Sequence, residues 1–196
     1  MKDLMLDIET MSCGSNPVIT QIAACYFNRF SGKPIELAVD KDCTHPSFFS
    51  MNIDLTDSMQ QGFEIDPETL KWWLKREPTF LEDAKPIDEV LRSFKVFLSR
   101  ATSIWGHVSF DMPKIINLYE RCNRKVPWSK RDLRDLRTLY YLADYDRIPS
   151  DQREDDSDDV HDGLGDCVYQ CKEVGECFHL LTQRVFISED GCYRDG

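Results

Sequence analysis

The run Leu4 to Ile8 is apolar except for one carboxylate, Asp7, and Glu9 follows two residues later. Side chains two apart in a strand project from the same face, so the segment predicts two acidic groups side by side amid Leu6 and Ile8. Burying them is costly without a counter-charge. A divalent cation is the natural one, because Mg²⁺ and Mn²⁺ prefer carboxylate oxygens and water. The alternative is that Asp7 and Glu9 end the strand and face solvent.

A second run, Ile19 to Phe27, is rich in β-formers. With Gly14, Asn16 and Pro17 as the turn, the two runs predict an antiparallel pair, and Ile35 to Val39 a third strand of a meander. Asp66-Pro67 reads as the N-cap and first position of a helix running through Trp72 and Trp73. From Pro86, residues Val90, Phe94, Phe97 and Leu98 recur at helical spacing; Ser103 to Gly106 predicts a brief strand, and Pro113 a further helix start. The longest helical stripe is Leu164, Cys167, Val168, Cys171, Val174, Phe178, Leu181 and Val185. Strands first, then strands alternating with helices, predict a single α/β domain over residues 1–196 around a mixed sheet. Residues 146–160, acidic and nearly free of apolar side chains, predict a mobile loop within it.

The chain has 196 residues and a formal charge of −11. Its longest unbroken apolar run, Ile22 to Phe27, is far below the ~18 residues that a membrane span requires, so no membrane association is expected. The amino terminus lacks the basic-then-apolar pattern of a secretory signal, which predicts a reducing cytoplasm. There the eight cysteines are free thiols. Cys167, Cys171, Cys177 and His179 do not have the CxxC spacing of common zinc sites, and Cys167 and Cys171 lie on the packing stripe.

Net acidity argues against nucleic-acid binding, but the average hides a contrast. Residues 121–137 carry a local charge of +5, and residues 144–166 one of −8. Two further candidates for chemistry follow. Asp111 comes after Trp105-Gly106-His107-Val108-Ser109-Phe110, where its plain reading is a helix N-cap. His161-Asp162-Gly163-Leu164-Gly165-Asp166 places a histidine on a loop and Asp166 in or near the first turn of the last helix, an arrangement suited to a base that swings over a metal site.

In that order, Asp-x-Glu on the first strand, Phe-Asp at a helix start and His-x4-Asp opening the last helix, the chain resembles the DEDDh group of 3′-to-5′ exonucleases. Asp7-Ile8-Glu9-Thr10-Met11, Thr69-Leu70-Lys71-Trp72-Trp73, Arg131 to Thr138 and His161-Asp162 look most like the T-even bacteriophage exodeoxyribonuclease A-like group. The resemblance implies a ribonuclease H-like mixed β-sheet flanked by α-helices. It implies two divalent ions, Mg²⁺ or Mn²⁺, with Asp7, Glu9 and Asp166 holding one, Asp7 and Asp111 the other, and His161 as general base. The reaction would release 5′-mononucleotides from single-stranded DNA or RNA 3′ ends, DNA being favoured, in a bacterial or phage-infected cytoplasm. Thr10 would contact the terminal sugar, Met11 and Phe110 would stack against the last base, and Arg131, Arg134 and Arg137 would form a phosphate track. Some relatives are dimers, so a homodimer is an open state. Many group members carry His-Asn where this chain has Gly106-His107, which leaves the asparagine's contact without its residue. The rival is a non-catalytic acidic DNA mimic or an inactive-nuclease interaction module.

Overall fold

The computed structural model describes residues 2–35, 47–75, 81–145 and 162–189. The expected strand at Ile35–Val39 lies outside these except for Ile35, and the acidic loop 146–160 and His161 lie outside them entirely.

Six strands form one mixed sheet: β1 (Asp3–Thr10), β2 (Ile19–Asn28), β3 (Lys33–Pro34), β4 (Phe48–Asn52), β5 (Ser103–Gly106) and β6 (Leu133–Asp135). The order is β3-β2-β1-β5-β6, with β4 also paired to β2. β1 and β2 are antiparallel, with Asp7 opposite Ala23 and Glu9 opposite Gln21; β5 and β6 run parallel to β1. Both central strands are buried along almost their whole length, so they carry near-continuous apolar runs rather than alternating ones.

Helices cover both faces. On one side, α1 (Leu55–Gln60), α2 (Pro67–Trp73), α3 (Ile87–Phe97) and α4 (Asp111–Arg121) enclose a core in which Leu4, Leu6, Ile22, Tyr26, Phe94 and Ile115 are buried. Asp66 caps α2 through Thr69 N–H, with Pro67 at its start. α4 begins at Asp111, two residues before Pro113, whose missing N–H costs nothing in a first turn. On the other side, α5 (Leu136–Ala143) and the long α6 (Gly163–Glu189) cover Met5, Ala23, Cys25, Phe27 and Trp105. Tyr140 of α5 and Tyr145, two residues beyond its end, tie this segment to α6 by donating their hydroxyls to Glu173 and Glu176. Among the described residues, no helix is long and apolar enough to cross a membrane.

The stripe on α6 holds for Cys167, Cys171 and Val174, all buried, whereas Val168 is 38% exposed. The buried face instead takes in Gln170 and Glu173. Cys167, Cys171 and Cys177 pack in the second core, and no cysteine among the described residues joins a group with metal-ligand spacing.

The helix docks through a close approach. A Cβ at Gly175 would stand 2.5 Å from Gly32 N and 2.6 Å from its Cα, and Gly32 itself turns with φ +65°. Neither backbone can yield cheaply. Gly175→Ala should therefore cost about 1–3 kcal/mol of stability, lowering Tm by about 3–10 °C. Gly165→Ala, whose Cβ would meet nothing nearer than 3.9 Å, should leave Tm unchanged or raise it in the same thermal melts.

Candidate active site

Strand β5 pairs with β1 only from Asp3 to Met5. The chain then leaves the sheet at Gly106, where a Cβ would stand 2.7 Å from Leu6 O. This close passage brings residues 107–111 beside the carboxyl end of β1, the end at which parallel strands commonly present their ligands. There Asp7 and Glu9 share a face, as their spacing predicts.

Asp111 is the first residue of α4 and only 2% exposed. It does not cap the helix. Its Oδ2 accepts the backbone N–H of His107 at 3.0 Å. Asp166 arrives from the first turn of α6, whose start is seated by Gln21 on β2. The Gln21 Oε1 accepts the Gly163 N–H at 2.8 Å, and its Nε2 donates to Asn52 Oδ1 at 3.1 Å and Asp162 Oδ1 at 3.4 Å. A Cβ at Gly163 would press on that same Oε1 at 2.8 Å and on Ala23 Cβ at 3.0 Å. Glycine is what lets the helix end lie against the strand.

The four carboxylates converge. Asp7, Glu9 and Asp166 each offer one ligand atom within 4.8 Å of the others, and so do Asp7, His107 and Asp111. Asp7 belongs to both groups. Gln170, one turn beyond Asp166, donates its Nε2 to Asp7 Oδ1 at 3.0 Å, while its own Oε1 is buried without a hydrogen-bond partner.

This crowding sets the electrostatics. Burial, then the charges of Asp111 and Glu9, hold the Asp7 carboxyl well above the usual range, opposed by the Gln170 hydrogen bond. Burial and the neighbouring Asp166 push Glu9 up to about 8. Asp111 is raised to about 7 by burial, against the lowering pull of the His107 N–H, Lys114 and Arg137. A divalent cation would offset this penalty, and carboxylate oxygens with one imidazole nitrogen fit such an ion.

The substrate residues expected from the sequence are distributed unevenly. Thr10 is half-buried, and its hydroxyl donates to Ser12 O at 3.1 Å. Met11 has no exposed surface and packs in the first core, so this arrangement offers none of it to a base. Phe110 is half-buried, with Lys114 Nζ 2.9 Å from its ring centroid. Arg137 donates to Ser109 Oγ at 2.9 Å, and its charge acts on Asp111 and His107. Arg134 is bound to its own turn, at Arg131 O and Leu133 O. Arg131 is exposed on that turn, and no interaction brings it to the carboxylates. Gln21, His107 and Gln170 were not read from the sequence as site residues. Gln21 carried a signal, as the one amide in the apolar run Ile19 to Phe27, and Gln170 another, four residues after Asp166 on the same helix face.

A family model for the 3'-5' exoribonuclease Rv2179c-like domain matches residues 2–178. The chain belongs to this family. The family is one of 3′-to-5′ exoribonuclease domains, and the chain has the mixed-sheet, helix-flanked ribonuclease H-like fold. Solved structures of E. coli exonuclease I are similar in fold. The metal-free form of its complex with single-stranded DNA has a TM-score of 0.62 at 15% identity, covering 95% of this chain and 44% of that one. Its complex with a dA16 oligonucleotide has a TM-score of 0.65 at 16% identity, covering 94% and 43%. A product-bound exonuclease I has a TM-score of 0.60 at 13% identity, covering 95% and 48%. The chain spans less than half the length of these proteins. No curated protein sequence matches it.

The raised carboxylates carry a pH dependence. Each stays protonated in the metal-free fold at pH values where the unfolded chain has already ionised. Their contribution to stability is therefore present below about pH 4 and is lost as pH rises through about 7 and 8. Because protons compete with the ion, Mn²⁺ should raise Tm markedly more at pH 8 than at pH 5.5. Asp7→Asn should raise the metal-free Tm at pH 8 and abolish most of the Mn²⁺ effect. Equal Mn²⁺ shifts at both pH values would contradict this electrostatic account.

Proposed function

We propose that this chain is a metal-dependent exonuclease domain that removes 5′-mononucleotides from the 3′ ends of single-stranded nucleic acid. The observation that carries the reading is the convergence of Asp7, Glu9, Asp111 and Asp166, with Asp7 common to two ligand groups. Asp7, Glu9 and Asp166 would hold one divalent ion, Mg²⁺ or Mn²⁺, and Asp7 with Asp111 the second. Ions so held supply positive charge for the attacking and departing oxygens of an in-line displacement.

The chain's own residues do the rest. Gln170 fixes Asp7, and Gln21 fixes the start of α6 and so Asp166. His161, outside the described residues but adjacent to the Asp162 that Gln21 holds, would accept a proton from the attacking water. Water oxygen would bond to phosphorus as the bond to the 3′ oxygen breaks, and that oxygen would take a proton from solvent to leave the shortened strand with a free 3′-hydroxyl. Thr10 and Phe110, both half-buried, would be the sugar and base contacts, and Arg137, whose charge acts on Asp111, would be the phosphate contact.

Between RNA and DNA, two indications oppose each other. The likeness to the T-even phage group, which rests on the sequence motifs alone, leans to DNA, and the E. coli proteins of similar fold are bound to DNA. The family match over residues 2–178 is to an exoribonuclease domain, and because it is a match of sequence, whereas the exonuclease I likeness at 15–16% identity is one of fold, RNA 3′ ends are the substrate we favour. A non-catalytic acidic mimic would leave the gathering of four carboxylates without a cause.

Matched 5′-labelled single-stranded RNA and DNA, incubated with Mg²⁺, Mn²⁺ or chelator, test the reading. Stepwise shortening from the 3′ end should require metal, favour RNA, and fall at least about 100-fold in Asp7→Asn, since losing even an outer-shell partner of a metal site costs 10–100-fold. Absence of shortening by the folded protein with either metal would overturn it. Arg137→Ala should weaken substrate binding and reduce the slope of log affinity against log salt by about 0.7.

A further inference from the structure

His107 sits where the chain leaves β5, and it meets Asp111 in two ways. Its backbone N–H holds Asp111 Oδ2 at 3.0 Å. Its imidazole Nδ1 stands 3.8 Å from that same oxygen, with the side chain 27% exposed. A separation of 3.8 Å is too long for a hydrogen bond. It lies within the range open to two atoms bound to one ion, since ligands about 2.0–2.2 Å from a metal lie up to about 4.3 Å apart. Asp7 completes the set, with one ligand atom from each of Asp7, His107 and Asp111 within 4.8 Å of the others. Among the described residues the ring makes no hydrogen bond, and the charges of Arg137 and Asp135 act on it from opposite directions.

We propose that His107 supplies an imidazole ligand to the ion shared by Asp7 and Asp111, making that position selective for a first-row transition ion over Mg²⁺. The inference rests on the metal-dependent reading above and adds a ligand to it. Mg²⁺ demands oxygen ligands and keeps its waters, whereas imidazole suits transition ions, so one nitrogen donor in an otherwise all-oxygen set shifts the preference. The carboxylate partner is held by the backbone of His107, not by its ring. Substitution of the side chain therefore leaves the Asp111 orientation in place.

Pulsed EPR of the full chain loaded with Mn²⁺ reads nitrogen coordination directly. Coupling to ¹⁴N should be present in the wild type and in His161→Ala, and absent in His107→Ala and His107→Leu. In calorimetric titrations, His107→Ala should weaken Co²⁺ binding at one site by about tenfold or more while changing Mg²⁺ binding less than about threefold. Bound Mn²⁺ that depends on Asp7 yet has no nitrogen coupling in the wild type, or keeps it in both His107 variants, would overturn the assignment and leave the two-metal reading intact. Mn²⁺ that fails to bind the wild type, or binds Asp7→Asn equally well, would overturn both.

Discussion

Four carboxylates gathered at one end of a buried strand repel one another, and the molecule is arranged to hold them together nonetheless. Asp7 is 8% exposed and Asp111 2%, in a setting where neither can ionise cheaply. Each is fixed by a donor from a different element: Gln170 of α6 for Asp7, and the backbone of His107 for Asp111. Such preorganisation holds the oxygens in place in advance, so that a bound divalent ion would relieve repulsion rather than impose order.

The framework around the site serves this placement. Gly106 lets β5 pass close to β1 and then turn away, and Gly163 lets α6 begin against β2. Gln21 ties that start to the strand, and the second core and the two tyrosine clasps hold the remainder of α6 in position. A helix of 27 residues anchored at so many points is a rigid carrier for a ligand in its first turn.

Where the sequence was legible, a strong local physical signal was present. Asp7 and Glu9 could be placed on one face because strand alternation is invariable, and α2, α3 and α6 because their caps or apolar periods are marked. The short elements were missed. β6 is Leu-Arg-Asp, with no apolar pattern to find, and β4 pairs at the sheet's margin. α5 opens within a basic segment that reads as surface charge; its Asp135 caps the helix and also accepts the Val108 N–H, a tertiary contact invisible in composition. Met11 illustrates the converse error. The resemblance implied a base contact, but past the register shift between Glu9 and Thr10 Met11 packs in the first core. The basic segment also proved heterogeneous: Arg124 pairs with Asp88, Arg121 reaches Gln61 O, and Arg137 alone among the three expected arginines acts on the site.

The central claim is that Asp7 is the shared ligand of two ions. Anomalous diffraction from crystals grown with Mn²⁺ near pH 8 measures it without recourse to activity. The account predicts two peaks, both in contact with Asp7, one reached also by Glu9 and Asp166 and the other by Asp111. Manganese bound elsewhere, with no peak against Asp7, would contradict it.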